Sequence, residues 1–399
     1  MARYSSLVLV FLALPLSLRA QEPPPPGACH VGAYAMADGS SLVVTPSEAP
    51  NLRYRSLDGV SGRLYPVSEN GYESGEGWSV REPVTLRVEF GACGEGRIRV
   101  GREGASAAVD GRRVPLRVTP VSFASGGETL YGELVMPIGR PRAAVVLQYG
   151  SGRESAVLNN FVQHLLPLRD IAVFVFDKRG TGRSTGGFSA DASTLADDMA
   201  AAARAIRGRE ELRGLPLGLM GESQGGWVAP LAATRGPADF VVVSYGLAVS
   251  MLEEDRQEVA QGLRARGYGA DVLARGEELH RATTRVIVSR FREGMDEVER
   301  LKAAYRDEPW FAELEGDFTG TLAATPAGRM DEVRAAFDFP YDVEYDPLPV
   351  IERIAVPQLW LLAGADTEAP HEATFARLRP LQARGLPLEV VVFRMPNTG

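Results

Sequence analysis

Ser223 stands in the run Gly221-Glu222-Ser223-Gln224-Gly225-Gly226, entered from the apolar stretch 215–220 and left through Trp227-Val228-Ala229. The pattern predicts a strand, a tight turn and a helix, with glycines where strand and helix must approach closely and the serine in a strained conformation. Its hydroxyl is thereby presented to a substrate. A serine hydroxyl is a weak nucleophile until a base takes its proton, and the tetrahedral oxyanion that follows needs preorganised donors. The chemistry to look for is therefore acyl transfer, which also requires a base, an acid to orient it and two hydrogen-bond donors.

Buried parallel strands read as near-continuous apolar runs. Such runs occur at 143–149, 171–176, 215–220, 240–245, 356–363 and 388–393, most of them separated by helix-compatible segments such as 195–206. Strand, helix, strand in succession predicts an α/β fold with a mostly parallel, doubly wound sheet. An antiparallel pair, 121–123 and 130–135, precedes it. Functional groups in such a sheet collect at the carboxyl ends of the strands. Those ends carry Gly150-Ser151-Gly152, the loop 177–186, the serine turn, and the loop 363–370 with Asp366 and, as a fallback acid, Glu368. Gly180-x-Gly182 after a strand also fits part of a dinucleotide-binding turn, but the helical pattern begins only near Asp191, whereas that motif opens straight into a helix. Asp177 and Arg179 in this loop are expected to form a structural ion pair.

Taken in order, Gly150-Ser151-Gly152, the 177–186 loop, Gly-Glu-Ser-Gln-Gly-Gly-Trp and Asp366 with Pro370 four residues on make residues 118–399 resemble the α/β-hydrolase superfamily, in particular exported bacterial esterase-like and serine-aminopeptidase-like members. The resemblance implies the α/β-hydrolase fold, Ser223 as nucleophile and Asp366 as the acid that orients a histidine. It implies an oxyanion hole formed by the backbone N–H groups of Ser151 and Gln224, supported by Gly150, Gly152, Gly221 and Gly225. Tyr149 stands where many members carry histidine. A helical lid is expected from the charged, helix-compatible insertion at about 247–349, with clear helices at 277–291 and 296–305. Trp310, Phe311, Phe337, Phe339 and Tyr341 within it suit either an acyl pocket or, more commonly for a helical cap, its own small core.

The remaining triad member should follow the last strand, where the sequence reads Arg394-Met395-Pro396-Asn397-Thr398-Gly399. In members of the superfamily this stretch leads directly into the catalytic histidine, so the expectation is a histidine past Gly399 and an impaired reaction in the chain ending there. Four histidines are present. All four read as ordinary surface or packing histidines: His30 in the β domain, His164 on an early helix, His280 in the lid and His371 after the acid loop, with His280 or His371 as the less favoured substitute bases.

Residues 1–20, with Arg3, an apolar core and Ala20, read as a signal peptide, and 21–27 as a proline-rich linker. The expected location is periplasmic or secreted, from a bacterium, with no stable membrane anchor. Removing the signal shifts the net charge from -8 to about -10, which argues against nucleic acid as a partner. Only Lys178 and Lys302 are lysines among 43 basic residues, a bias read as compositional. Residues 28–116 carry Asp38-Gly39, Asp58-Gly59, Asn70-Gly71 and Asp110-Gly111, each suited to the positive φ of a tight hairpin turn, between short alternating segments. They predict a small β-rich domain, and 117–399 the hydrolase domain. Export favours a disulfide between Cys29 and Cys93; with His30 alone beside them they make a poor metal site.

The sequence thus points to a serine hydrolase acting on a small-molecule carboxylic ester, without metal or organic cofactor. A peptidase or amidase of the same fold, taking a short peptide or amide, is the first alternative. A non-catalytic binding protein that keeps the cleft is the second.

Overall fold

The computed structural model describes residues 27–77, 80–366 and 368–393. The expected signal peptide, the prolines before Gly27 and the segment 394–399 lie outside the described residues.

Eight short strands, β1 (Gly32–Met36) through β8 (Val109–Arg113), each run antiparallel to the next and close into a barrel when β8 pairs with β1. Two of the four expected turns form by positive φ. Gly39 and Gly59 adopt φ of 85° and 96°, and Asp38 and Asp58 each accept a backbone N–H two residues on. Gly71 and Gly111 do not behave this way, because both lie within strands. Gly111 serves packing instead: a β-carbon there would sit 2.5 Å from Met36 Sδ. Alternation sends Tyr34, Leu42, Val44, Leu52, Tyr54, Leu64, Leu86 and Val88 inward, and an eight-stranded barrel is just wide enough for such side chains to fill. Outward-facing neighbours such as Arg53 and Arg55 are left for other contacts.

Cys29 and Cys93 form the disulfide, with Cα atoms 5.5 Å apart across 64 residues of chain. It ties the start of the barrel to the turn after Phe90, where His30 stacks on the Phe90 ring at 4.2 Å. Both cysteines are consumed by this bond, which disposes of a metal at the Cys29-His30-Cys93 cluster.

The second sheet comprises β9 (Leu116–Ser125), β10 (Glu128–Pro137), β11 (Ala143–Gln148), β12 (Ile171–Phe176), β13 (Leu217–Glu222), β14 (Phe240–Ser244), β15 (Gln358–Ala363) and β16 (Leu388–Phe393). Across the sheet their order is β9-β10-β12-β11-β13-β14-β15-β16. β10 pairs antiparallel with β9 on one side and β12 on the other; every later pair is parallel. Both faces are covered, which explains the apolar runs. Val146, Phe174 and Leu219 pack with Met199, Ala200 and Ile206 of the helix Ala192–Arg207, and Val145, Val173 and Val175 with Ala156 and Val162 on the other side. β9 is longer than the apolar pattern suggests. It runs along the sheet edge, where backbone pairing with β10 continues through exposed positions such as Val118 that periodicity does not mark.

Between β14 and β15 a group of helices forms the lid, chiefly Met251–Ala265, Ala270–Val288 and Met295–Tyr305. Its aromatic residues largely build its own core: Trp310 and Tyr341 are buried, and Phe337 stacks on Phe339. Among the described residues no helix is long and apolar enough to cross a membrane.

Closing a loop of 64 residues with a disulfide removes about 4 kcal/mol of denatured-state entropy in the chain-entropy account. The Cys29→Ser, Cys93→Ser double variant is expected to lose most of that from the barrel's unfolding free energy, measured by urea titration. Reduction of the unmutated protein should reproduce the loss.

Candidate active site

Ser223 occupies the corner between β13 and the helix Gly225–Ala233 with φ +50°, a left-handed conformation that a serine adopts only under constraint. The constraint is backbone crowding. A β-carbon on Gly221 would lie 1.9 Å from Gly225 O, one on Gly225 would lie 2.3 Å from Gln148 O, and one on Gly226 would lie 2.7 Å from Gly246 Cα. Hydrogen bonds hold the corner: Ser223 N donates to Ser244 O at 3.1 Å, and Gly226 N to Ser223 O at 2.7 Å.

The Gly150-Ser151-Gly152 loop, leaving β11, crosses directly over this serine, so that a β-carbon on Gly150 would sit 3.3 Å from Ser223 Cβ. Tyr149 is buried, and its hydroxyl donates to Gly152 O at 2.9 Å beside Glu154 O, which closes the loop on itself. The tyrosine thus holds the loop from within. Ser151 is exposed, whereas Gln224 is buried. Lys178, a fully buried side chain, donates from Nζ to Gly150 O at 2.7 Å and to Gln224 Oε1 at 3.3 Å. Burial lowers its pKa to about 7.

Asp366 follows β15, two strands from the serine at the same carboxyl edge, on the order of 10 Å away by strand spacing. Its Oδ1 accepts the backbone N–H groups of Glu368 and Ala369 at 3.1 and 2.9 Å, a turn that fixes the carboxylate. Glu368, the fallback acid, is exposed. The lid reaches this loop through Gln261, which donates to Asp366 O at 2.9 Å. It reaches the opposite wall through Arg153, lying over the rings of Phe188 and Phe339 and donating to Ala336 O. Phe339 therefore serves the wall as well as the lid core. Facing the acid loop from the lid, Glu254, Glu258 and Asp317 crowd together, and burial first, then the neighbouring Asp317, raises the Glu258 carboxyl to about 8.

Behind the serine, Glu222 is buried and accepts from Asn160 Nδ2 at 2.6 Å and from the Tyr245 hydroxyl at 2.9 Å. Burial holds its pKa above the ordinary range, partly offset by these two hydrogen bonds and, least of all, by the charge of Arg55 from the barrel. Arg55 lies over Phe161 at 4.0 Å, so the barrel touches the chain neighbour of Asn160, the residue that supports the elbow. The first two helical turns after the loop, Ala156–Asn159 and Val162–Leu165, rest on the barrel strands themselves.

The expected Asp177–Arg179 pair does not form. Arg179 pairs with Asp198 of the helix Ala192–Arg207 at 2.5 Å, and buried Asp177 accepts from Ser155 Oγ, Val157 N and Arg183 N. Consecutive loop residues point to different partners, and Asp177 is saturated by the backbone it organises. Gly182 is required there, since its β-carbon would lie 2.0 Å from Asp177 Oδ2. The histidines are scattered. His30 is in the barrel, and His164, half-buried, is held by burial at a pKa of about 4. His280 meets Asp255 at 2.9 Å inside the lid, and His371 opens the helix His371–Ala383. Sequence reasoning missed Lys178, Glu222 and Arg55. The scarcity of lysine was the one available signal for the first; the others depend on contacts between distant segments.

Two predictions follow from these charges. Arg55→Met should destabilise the protein less when Glu222 is already glutamine, a double-mutant cycle returning about 1–3 kcal/mol of coupling in unfolding titrations. For Glu258 the folded carboxyl titrates above the unfolded one, so its protonation supports the fold below pH ~4.5 and that support is lost as pH rises towards about 8. Glu258→Gln should flatten the fall of Tm across that window.

Residues 139–266 match the family described as serine aminopeptidase, S33. Human monoglyceride lipase is 28% identical over 136 residues, which cover 32% of this chain and 42% of the lipase, so the chain spans under half of that relative. An esterase of Pyrococcus furiosus aligns at 14% identity and a TM-score of 0.43 over 69% of this chain and 82% of its own. The proline iminopeptidase of Mycobacterium smegmatis aligns at 16% and 0.41, over 69% and 90%. A strand–serine–helix corner, a strand order that places β11 between β12 and β13, and a matched segment spanning both give the chain an α/β-hydrolase fold, in which residues 139–266 are similar to the serine aminopeptidase, S33, family.

Proposed function

We propose that the protein is an exported serine hydrolase that cleaves small carboxylic esters through an acyl intermediate on Ser223. The observation that carries this reading is the strained Ser223 lying directly beneath the Gly150 loop. In the proposed reaction Ser223 Oγ attacks the ester carbonyl as a histidine takes its proton, and the N–H groups of Ser151 and Gln224 receive the oxyanion. The alcohol leaves with that proton, and water then releases the acid by the same steps in reverse. Asp366 orients the histidine, for which the expected place is after β16; the four histidines in the sequence occupy the barrel, its interface, the lid interior and the helix after the acid loop. The Cys29–Cys93 bond supports an oxidising, extracytoplasmic location.

A second reading keeps the site and makes the substrate an amide or short peptide. The match of 139–266 to a family of aminopeptidases favours it. The chain extended by its natural downstream residues should hydrolyse short p-nitrophenyl esters, and Ser223→Ala should abolish this; the chain ending at Gly399 should be slower by up to about a millionfold. An inert extended protein overturns the reading, and aminoacyl amides cleaved faster than esters decide for the second.

A further inference from the structure

The loop after β12 contains a charge that the proposed chemistry does not use. Lys178 is completely buried, with its ammonium at 2.7 Å from Gly150 O and 3.3 Å from Gln224 Oε1, and 4.5 Å above the Tyr149 ring. Phe188 covers it at 5.4 Å. Taking an ammonium out of water costs several kcal/mol unless it is well paired, and among the described residues no carboxylate forms an ion pair with it. Of the charged groups around it, Glu154 and Arg153 on the crossing loop oppose one another, and Asp177 beside it is engaged by Ser155, Val157 and Arg183.

Its two acceptors are informative. The Gly150 carbonyl and the Ser151 N–H belong to one planar trans peptide and point in opposite directions. Fixing the carbonyl on Lys178 therefore fixes the N–H on the other side, and a hydrogen-bonded carbonyl makes its amide a stronger donor. Gln224 owns the other proposed donor. We propose that Lys178 is the positioning residue of the oxyanion hole, a single ammonium that sets the Gly150–Ser151 peptide and the Gln224 side chain in register. The proposal rests on the serine-hydrolase reading above. It also gives a reason for lysine here in a chain with only two lysines among 43 basic residues: a rigid guanidinium fork cannot replace a compact head aimed at two oxygens in a closed site.

The test uses the full-length protein, including residues downstream of Gly399, with p-nitrophenyl butyrate from pH 5 to 9. Lys178→Met, similar in length and without a donor, should lower kcat about a hundredfold below pH 7 and change KM less than about twofold. Because the head loses its charge as pH rises through about 7, the ratio of wild-type to variant kcat should shrink above that pH. Stability provides an independent readout. The unfolded chain holds this proton to higher pH than the folded one, so the wild-type Tm should gain between pH 7 and 10 an increment that Lys178→Met lacks. Should that variant not fold, Gln224→Leu removes one acceptor and keeps the backbone donor, with an expected loss in kcat of about tenfold. Unchanged kcat in the variants, or equal loss at every pH, overturns the proposal. A wild type that neither hydrolyses the ester nor takes up a fluorophosphonate at Ser223 overturns the underlying reading instead, and the inference with it.

Discussion

Backbone crowding at the end of β13 is the constraint on which the rest of the molecule depends. With 1.9 Å left between a hypothetical Gly221 β-carbon and Gly225 O, strand and helix meet closer than any side chain allows. The serine at the corner must then take up the conformational difference, and it is held at φ +50° by the hydrogen bond to Ser244 and the turn into Gly226. Strain of this kind costs of order 1–3 kcal/mol and persists only where surrounding structure over-determines it. Here that structure is extensive: Gln148 presses on Gly225 from β11, Gly246 on Gly226 from the end of β14, and Glu222 is anchored to Asn160 and Tyr245. The loop that crosses the serine is fixed by separate means, through Tyr149 inside it and Lys178 beneath it.

What was legible in the sequence was what is encoded locally. The Gly221–Gly226 spacing announces the corner because each glycine answers to a neighbour within a few residues or on the adjacent strand. The parallel sheet could be read because strands covered on both faces need continuous apolar runs. Barrel closure was hidden, since β1 finds β8 across more than seventy residues and nothing in either strand names its partner. The same holds for Arg179, whose true partner, Asp198, is on the following helix, and for Gly111, which looks like a turn residue and is a packing residue. Lys178 was illegible for another reason: a buried charge and a solvated one are written with the same letter.

The lid and the barrel approach the site from different sides and by different physics. The lid touches the acid loop through Gln261 and the oxyanion loop through Arg153, and meets the segment before the helix Ala192–Arg207 through the Phe188–Phe339 ring pair and the bond from Ala190 N to Pro340 O. The barrel supports the segment 156–165, and through Arg55 and Phe161 it bears on Asn160 and hence on Glu222. The lid thus meets the rim of the site at its loops, while the geometry of the elbow is shared with the barrel.

Only Val114 and Pro115 separate the last barrel strand from β9, and Val114 N still donates to Ala33 O in the barrel. A connection this short leaves almost no freedom at the joint, and a proline in it removes more. Arg55 is consequently delivered to its place as though at a very high local concentration, with little orientational entropy left to lose on contact. A different module could be exchanged for the barrel only by reproducing the direction in which its final strand leaves, which makes the joint, more than either surface, the feature that binds the two halves into one inheritance.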